Sequence, residues 1–170
     1  MTITTNIYSE INLSKLNQIQ QDFFDIVENN ENKKIKIIAK KCSGISTTIL
    51  LFAYQKALFE NKHVAIIGYI YDYHLIRSNL ITQFGLNIHI IHASFEYFVS
   101  FPNYCKGSLK FYDNLVFLQN NNFDYVISDG YEYFNMSLNN NPNVIICKTV
   151  HDNDMIVVRE NIDYKHYYLE

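Results

Sequence analysis

Glycine and proline are scarce in this 170-residue chain, at five and two residues, which excludes a collagen-like repeat or a linker-rich protein. Cysteine is sparse as well. Cys42, Cys105 and Cys147 are odd in number and widely spaced, which suits reduced core thiols better than a disulfide frame or a zinc site. No apolar run approaches the roughly 18 residues that a membrane span needs. The opening Met1-Thr-Ile-Thr-Thr-Asn6 lacks the basic-then-apolar pattern of a signal peptide, so a soluble, cytoplasmic protein with no membrane role is expected. A formal charge of -3 provides no global field toward nucleic acid or acidic membranes. Histidines show no H-x₃-H spacing on one helix; His89 and His92, three apart on a strand, face opposite sides, and no metal site is read from them. The shortage of glycine matters most, because phosphate-binding loops need it.

What is present is core material. Hydrophobic residues make up 48% of the chain, with 12 Phe and 14 Tyr, against 18% charged, which fits one folded domain and excludes a mostly disordered chain. Abundant Asn, Ile, Lys and Tyr are residues of A/T-rich codons, a composition met in viruses, phages and some parasites.

Leu13, Leu16, Ile19, Phe23, Ile26 and Val27 recur at helical spacing, which predicts an amphipathic helix over 14–28 with Ser14 as its N-cap. A core over 35–158 follows. Ile35–Ala39 reads as a strand, Lys40–Ser46 as a polar loop, Thr47–Glu60 as a helix, and His63–Gly68 as a strand buried on both faces. Asp72–Phe84 reads as a helix closed by Gly85, and Ile88–His92 as a strand. Leu109–Tyr112 and Leu115–Leu118 flank Asp113-Asn114 as a hairpin. Phe123–Ser128, Val144–Cys147 and Met155–Val158 complete the expected strands. Strands alternating with helices give an α/β sandwich on a mainly parallel sheet.

In such folds ligands sit beyond the carboxyl ends of the strands. The segment Ala39-Lys-Lys-Cys-Ser-Gly-Ile-Ser-Thr-Thr48 lies where a P-loop belongs, with backbone N–H groups for phosphate, a lysine for its charge and a hydroxyl for Mg²⁺. Two registers are open. With Gly44 as the second glycine, Ala39 replaces the first and Ile45 the lysine; with Thr47-Thr48 aligned, Ile45 replaces the glycine and Ser46 the lysine. Either register loses the lysine, and an ordinary strand–loop–helix turn capped by Ser46 or Thr47 fits the same residues. Tyr125-Val-Ile-Ser-Asp129 is a strand ending in an acid, as a Walker B strand does, but the next residue, where a water-polarising Glu would stand, is Gly130. Lys148-Thr149 follows Val144–Cys147, in the place of a polar γ-phosphate sensor.

Upstream, Leu16-Asn-Gln-Ile-Gln20-Gln-Asp-Phe-Phe24 resembles the segment in which helicases and terminases read adenine with a glutamine, and Gln20 falls on the reading position. Phe101-Pro-Asn103 and Lys106-Gly-Ser-Leu-Lys-Phe-Tyr-Asp-Asn114 resemble the Lys-Gly-Ser strand and hairpin of the tailed-phage large terminase. The order and spacing of these motifs, from about Leu16 to Thr149, carry the resemblance, and half of a two-RecA helicase is the nearest competitor.

The resemblance implies a RecA-like three-layer sandwich with a β-hairpin insertion, here without the nuclease domain of that family. It places any nucleotide at Gln20, Lys41, Gly44, Ser46, Thr47, Asp129 and Thr149, and Mg²⁺, if nucleotide binds, at Thr47 and Asp129. Losing one charged catalytic group commonly costs on the order of 10²–10³ in rate, so a chain lacking both the lysine and the Glu is expected to be a pseudo-ATPase. Its role would be structural or regulatory, in viral packaging, assembly or replication, beside a protein partner or a second copy. A weak ATPase using Lys40 or Lys41 is one alternative. A docking module using the aromatics around Phe95–Phe101 and Tyr131–Phe134 is another. The basic run Lys33, Lys34, Lys36, Lys40, Lys41 reads either as a DNA contact or as a solvated strand edge.

Overall fold

The computed structural model describes residues 13–31, 33–86, 88–94, 96–118, 121–130, 138–150 and 164–169. A short 3₁₀ turn, Leu13–Lys15, leads into α1 (Gln18–Glu28). The helix cap is Asn17 rather than Ser14: its side chain accepts from the Gln20 backbone, and the Gln20 side chain accepts from the Asn17 backbone. This reciprocal box fixes the start of α1. Its apolar face carries Phe23 and Phe24, which meet Phe52 edge-on with centroids 5.8 and 5.6 Å away.

β1 (Lys34–Lys40) leads through a short loop to α2 (Ile45–Phe59), then β2 (His63–Ile67) and α3 (Ile70–Phe84). Gly85 ends α3 in the left-handed conformation at φ 68°, returning its N–H to Ile81. There follow β3 (Ile90–Ala93), β4 (Glu96–Val99), β5 (Ser108–Tyr112), β6 (Tyr125–Asp129), β7 (Asn143–Val150) and β8 (Lys165–Leu169). One eight-stranded sheet runs in the order β3-β4-β5-β2-β6-β7-β1-β8. All pairings from β5 through β8 are parallel, and only β3–β4 and β4–β5 are antiparallel.

The fold is therefore α/β on a mostly parallel sheet. α2 is apolar around most of its circumference because it is packed on several sides: by the sheet beneath it and by α1 and α3 at its flanks. The larger core joins these helices to one sheet face through Ile37, Ile66, Phe111, Ile127 and Cys147. A second cluster on the opposite face gathers Ala65, Ile67, Tyr112, Val126 and Ile146 under Leu118, Phe123 and Tyr164.

Three expectations are corrected. Leu115–Leu118 is a 3₁₀ turn and not the second arm of a hairpin, because the Asn114 side chain takes the Val116 N–H at 3.0 Å and Leu118 is buried. The antiparallel pairs are β3–β4 and β4–β5 instead. Secondly, β1 is an inner strand between β7 and β8, so its lysines form neither a sheet edge nor one basic stripe. Lys36 is only 5% exposed, on the face away from the helices, and burial beside Lys148 pulls its ammonium below the ordinary lysine range. Lys33 donates to the Asn141 carbonyl, and Lys34 lies over the Tyr164 ring. Thirdly, β7 continues through Val150, so Thr149 stands within the strand opposite Ala39 rather than beyond its end. The strand expected at Met155–Val158 and the aromatics Phe95 and Tyr131–Phe134 lie outside the described residues.

Gly107 accounts structurally for the Lys-Gly-Ser segment. A Cβ there would run into the Ala57 carbonyl and stand 2.8 Å from the Lys62 carbonyl. Only glycine lets β5 begin against the end of α2, where Cys105 also donates to the Ala57 oxygen at 3.3 Å.

Candidate functional site

β1 lies between β7 and β8, and the chain leaves it through α2 toward β2, past β7 and β6 in the sheet. The crevice beyond the carboxyl ends of the strands is where open α/β sheets bind ligands.

The loop entering α2 is short and bonded to itself. The Lys41 N–H donates to Val150 at 2.8 Å, extending the β1–β7 ladder, and the Ser43 N–H donates to Lys40 at 3.3 Å. Cys42 and Gly44 turn the chain with φ of 63° and 79°. Thr48 directs both its N–H and its hydroxyl to the Gly44 carbonyl, at 3.0 and 2.8 Å.

Asp129, at the end of β6, points to the helical face of the sheet. It accepts from the Tyr73 hydroxyl at 2.8 Å, and the Ser46 side chain lies beside it. Desolvation raises its carboxyl above the usual aspartate range, the two hydroxyls oppose that rise, and the charge of Asp72 adds to it. Tyr73 is fully buried, and its phenol is pushed well up by burial and by the carboxylate. Cys147, opposite Asp129 in the ladder, is likewise buried with its thiol pushed well up, so it is no nucleophile. Gly68 permits the close approach of β2 here, since a Cβ on it would meet the Asp129 side chain at 3.3 Å. Gly130 turns away at φ 96° and donates to the Cys147 carbonyl.

A cavity of about 580 Å³ lies on another side of the loop, between the start of α1, the loop itself and the second half of α3. Its polar lining includes Lys15, Asn17, Gln20, Thr47, Asn79 and Gln83, together with Gly44. No carboxylate lines it among the described residues.

The structure thus divides the sequence-predicted residues between two places. Gln20, Gly44 and Thr47 border the cavity; Ser46 joins Asp129. Lys40, the last residue of β1, and Lys41, the first of the loop, are exposed and do not line the cavity, and Thr149 is exposed on β7. Sequence reasoning missed Tyr73, which carries no motif. It also missed Asn17, although Asn17-x-x-Gln20 is a capping-box spacing that could have been read. No family model matches the chain, and no curated protein matches it in sequence.

Proposed function

We propose that this chain is a non-catalytic relative of RecA-like motor cores of the terminase or helicase kind, serving as a structural or regulatory subunit in viral or phage genome packaging, assembly or replication. The observation that carries the reading is the engagement of Asp129. In a working site that carboxylate orients Mg²⁺ through water. Here it is held by the Tyr73 hydroxyl at 2.8 Å, with the Ser46 side chain beside it, and Ser46 is the residue that replaces the phosphate-binding lysine in one of the two registers.

The order of parts supports the kinship: a strand, a loop, a helix N-terminus, and an acid ending a strand one place removed from β1 in the sheet. The residues do not fit a catalytic Mg–nucleotide. Thr47 borders the cavity and Asp129 does not, while the loop spends two of its N–H groups on its own backbone and β7. A retained fold without these charges serves as a surface for a protein partner or a second copy.

The test is turnover of Mg-ATP by the purified chain. The expected result is no phosphate release above buffer, unchanged in Asp129→Ala and Lys41→Ala. Turnover abolished by both substitutions would overturn the proposal in favour of a displaced lysine.

A further inference from the structure

We infer that the cavity between α1, the loop and α3 is a binding site for a small, acceptor-rich anion, a phosphate or carboxylate compound, rather than a reader of adenine. The argument starts from the capping box. The Asn17 N–H donates to Gln20 Oε1 at 3.0 Å, and the Gln20 N–H donates to Asn17 Oδ1 at 2.9 Å. Each side-chain amide has therefore committed its oxygen to the backbone of α1. Their nitrogens are turned the other way, and both stand close to where a Cβ on Gly44 would be, Nε2 of Gln20 at 3.3 Å and Nδ2 of Asn17 at 3.9 Å.

Gln20 is only 5% exposed and borders the cavity, and no described residue accepts from its Nε2, which is left to an acceptor in the cavity. Lys15 adds a cation on the same rim, and Ser43, also on the lining, has a buried hydroxyl without a partner among the described residues. The cavity therefore offers donors and positive charge, with no carboxylate on its wall among the described residues. Adenine recognition by a glutamine needs its oxygen as an acceptor for the amino group as well as its nitrogen as a donor, and the capping box has taken that oxygen.

The test uses inorganic pyrophosphate, citrate and adenosine, each titrated into the full chain by calorimetry. Saturable binding of pyrophosphate or citrate is expected, the tighter of the two identifying the phosphate or the carboxylate as the preferred chemistry, and adenosine should not bind. Gln20→Glu keeps the cap, because a carboxylate oxygen accepts from the Asn17 backbone equally well, but it turns a negative acceptor toward the cavity. It should weaken the anion about tenfold or more while circular dichroism and melting stay as in the parent. Lys15→Met, outside the cap, should weaken it too and guards against a folding artefact in the first variant. No saturable binding of either anion, binding untouched by both substitutions, or adenosine binding as tightly as the anion would each overturn the inference. Its failure leaves the non-catalytic reading in place, since that reading stands on Asp129 and on turnover.

Discussion

Replacing Tyr73 with Phe tests whether Asp129 is a structural tie. The ring is fully buried against Phe111, with centroids 5.1 Å apart, so Phe fills the same space and no cavity opens. What is lost is a 2.8 Å hydrogen bond to a carboxylate. Hydrogen bonds to charged groups are worth about 1.5–3 kcal/mol, and at about 2–4 °C per kcal/mol for a chain of this size the melting temperature should fall by about 3–12 °C. The effect depends on pH with a defined sign. The folded-state pKa of Asp129 is raised above its unfolded value, so the folded state holds the proton more tightly. That contribution to stability is complete below the unfolded pKa and is lost as pH rises through the folded one. The Tyr73 hydroxyl opposes the rise by favouring the charged form, so its removal should cost more at pH 7 than at an acid pH below the folded pKa, where the carboxyl is protonated. Thermal denaturation of Tyr73→Phe, Asp129→Asn and the double variant at both pH values measures this. The double variant should lose less than the sum of the singles. A neutral Tyr73→Phe at pH 7, or strict additivity, would refute the tie.

Two further substitutions probe the frame. Gly107→Ala should destabilise by about 1–3 kcal/mol or more, read from denaturant midpoints, because the new methyl meets the fixed carbonyls of Ala57 and Lys62; an unchanged midpoint would mean that β5 does not abut α2. Lys56, only 3% exposed, is held by Glu28 at 2.6 Å and Glu60 at 2.9 Å, and these bonds raise its pKa despite burial. Glu28→Gln with Glu60→Gln strands the ammonium and should cost toward the lower end of about 3–5 kcal/mol, since both carboxylates are partly exposed. In the parent the same linkage is fully present below the unfolded lysine pKa and fades as pH rises through the raised one, so the difference between parent and variant should shrink in strong alkali.

Much of the frame was readable because it depends on burial periodicity. The continuous apolar run Val64–Ile67 and the helical spacing of Leu16, Ile19, Phe23 and Ile26 report burial; β2 occurs near its expected bounds, and α1 ends at Glu28 as expected but starts at Gln18 rather than at 14. The hairpin at Asp113-Asn114 failed for a local reason: an Asn that can start a two-residue turn can equally well cap a 3₁₀ turn, and the burial of Leu118 decides between them. Reading the lysines of β1 as an edge failed for a non-local one. Alternation of charge and apolar residues marks an edge only if nothing pairs beyond it, and β8, from the far end of the chain, does.

The site was the least readable part, and Ser46-Thr47-Thr48 shows why. Three consecutive hydroxyls on the first turn of a helix are about 100° apart, so they serve three different surroundings. Ser46 lies beside Asp129 at the carboxyl end of β6, Thr47 borders the cavity toward α1 and α3, and Thr48 folds back on the Gly44 carbonyl. Magnesium chemistry needs a hydroxyl and the β6 acid to address the same ion. In this chain the hydroxyl beside the acid is that of Ser46, and Thr47, the hydroxyl that the P-loop alignment assigns to the metal, borders the cavity, whose lining omits Asp129. Which way each one points is set by where α2 lies on the sheet. That in turn depends on Gly107 at one end of the helix and on the four-residue turn at the other. A motif aligned by spacing alone assigns roles by position along the chain, whereas the phase of the helix assigns them here.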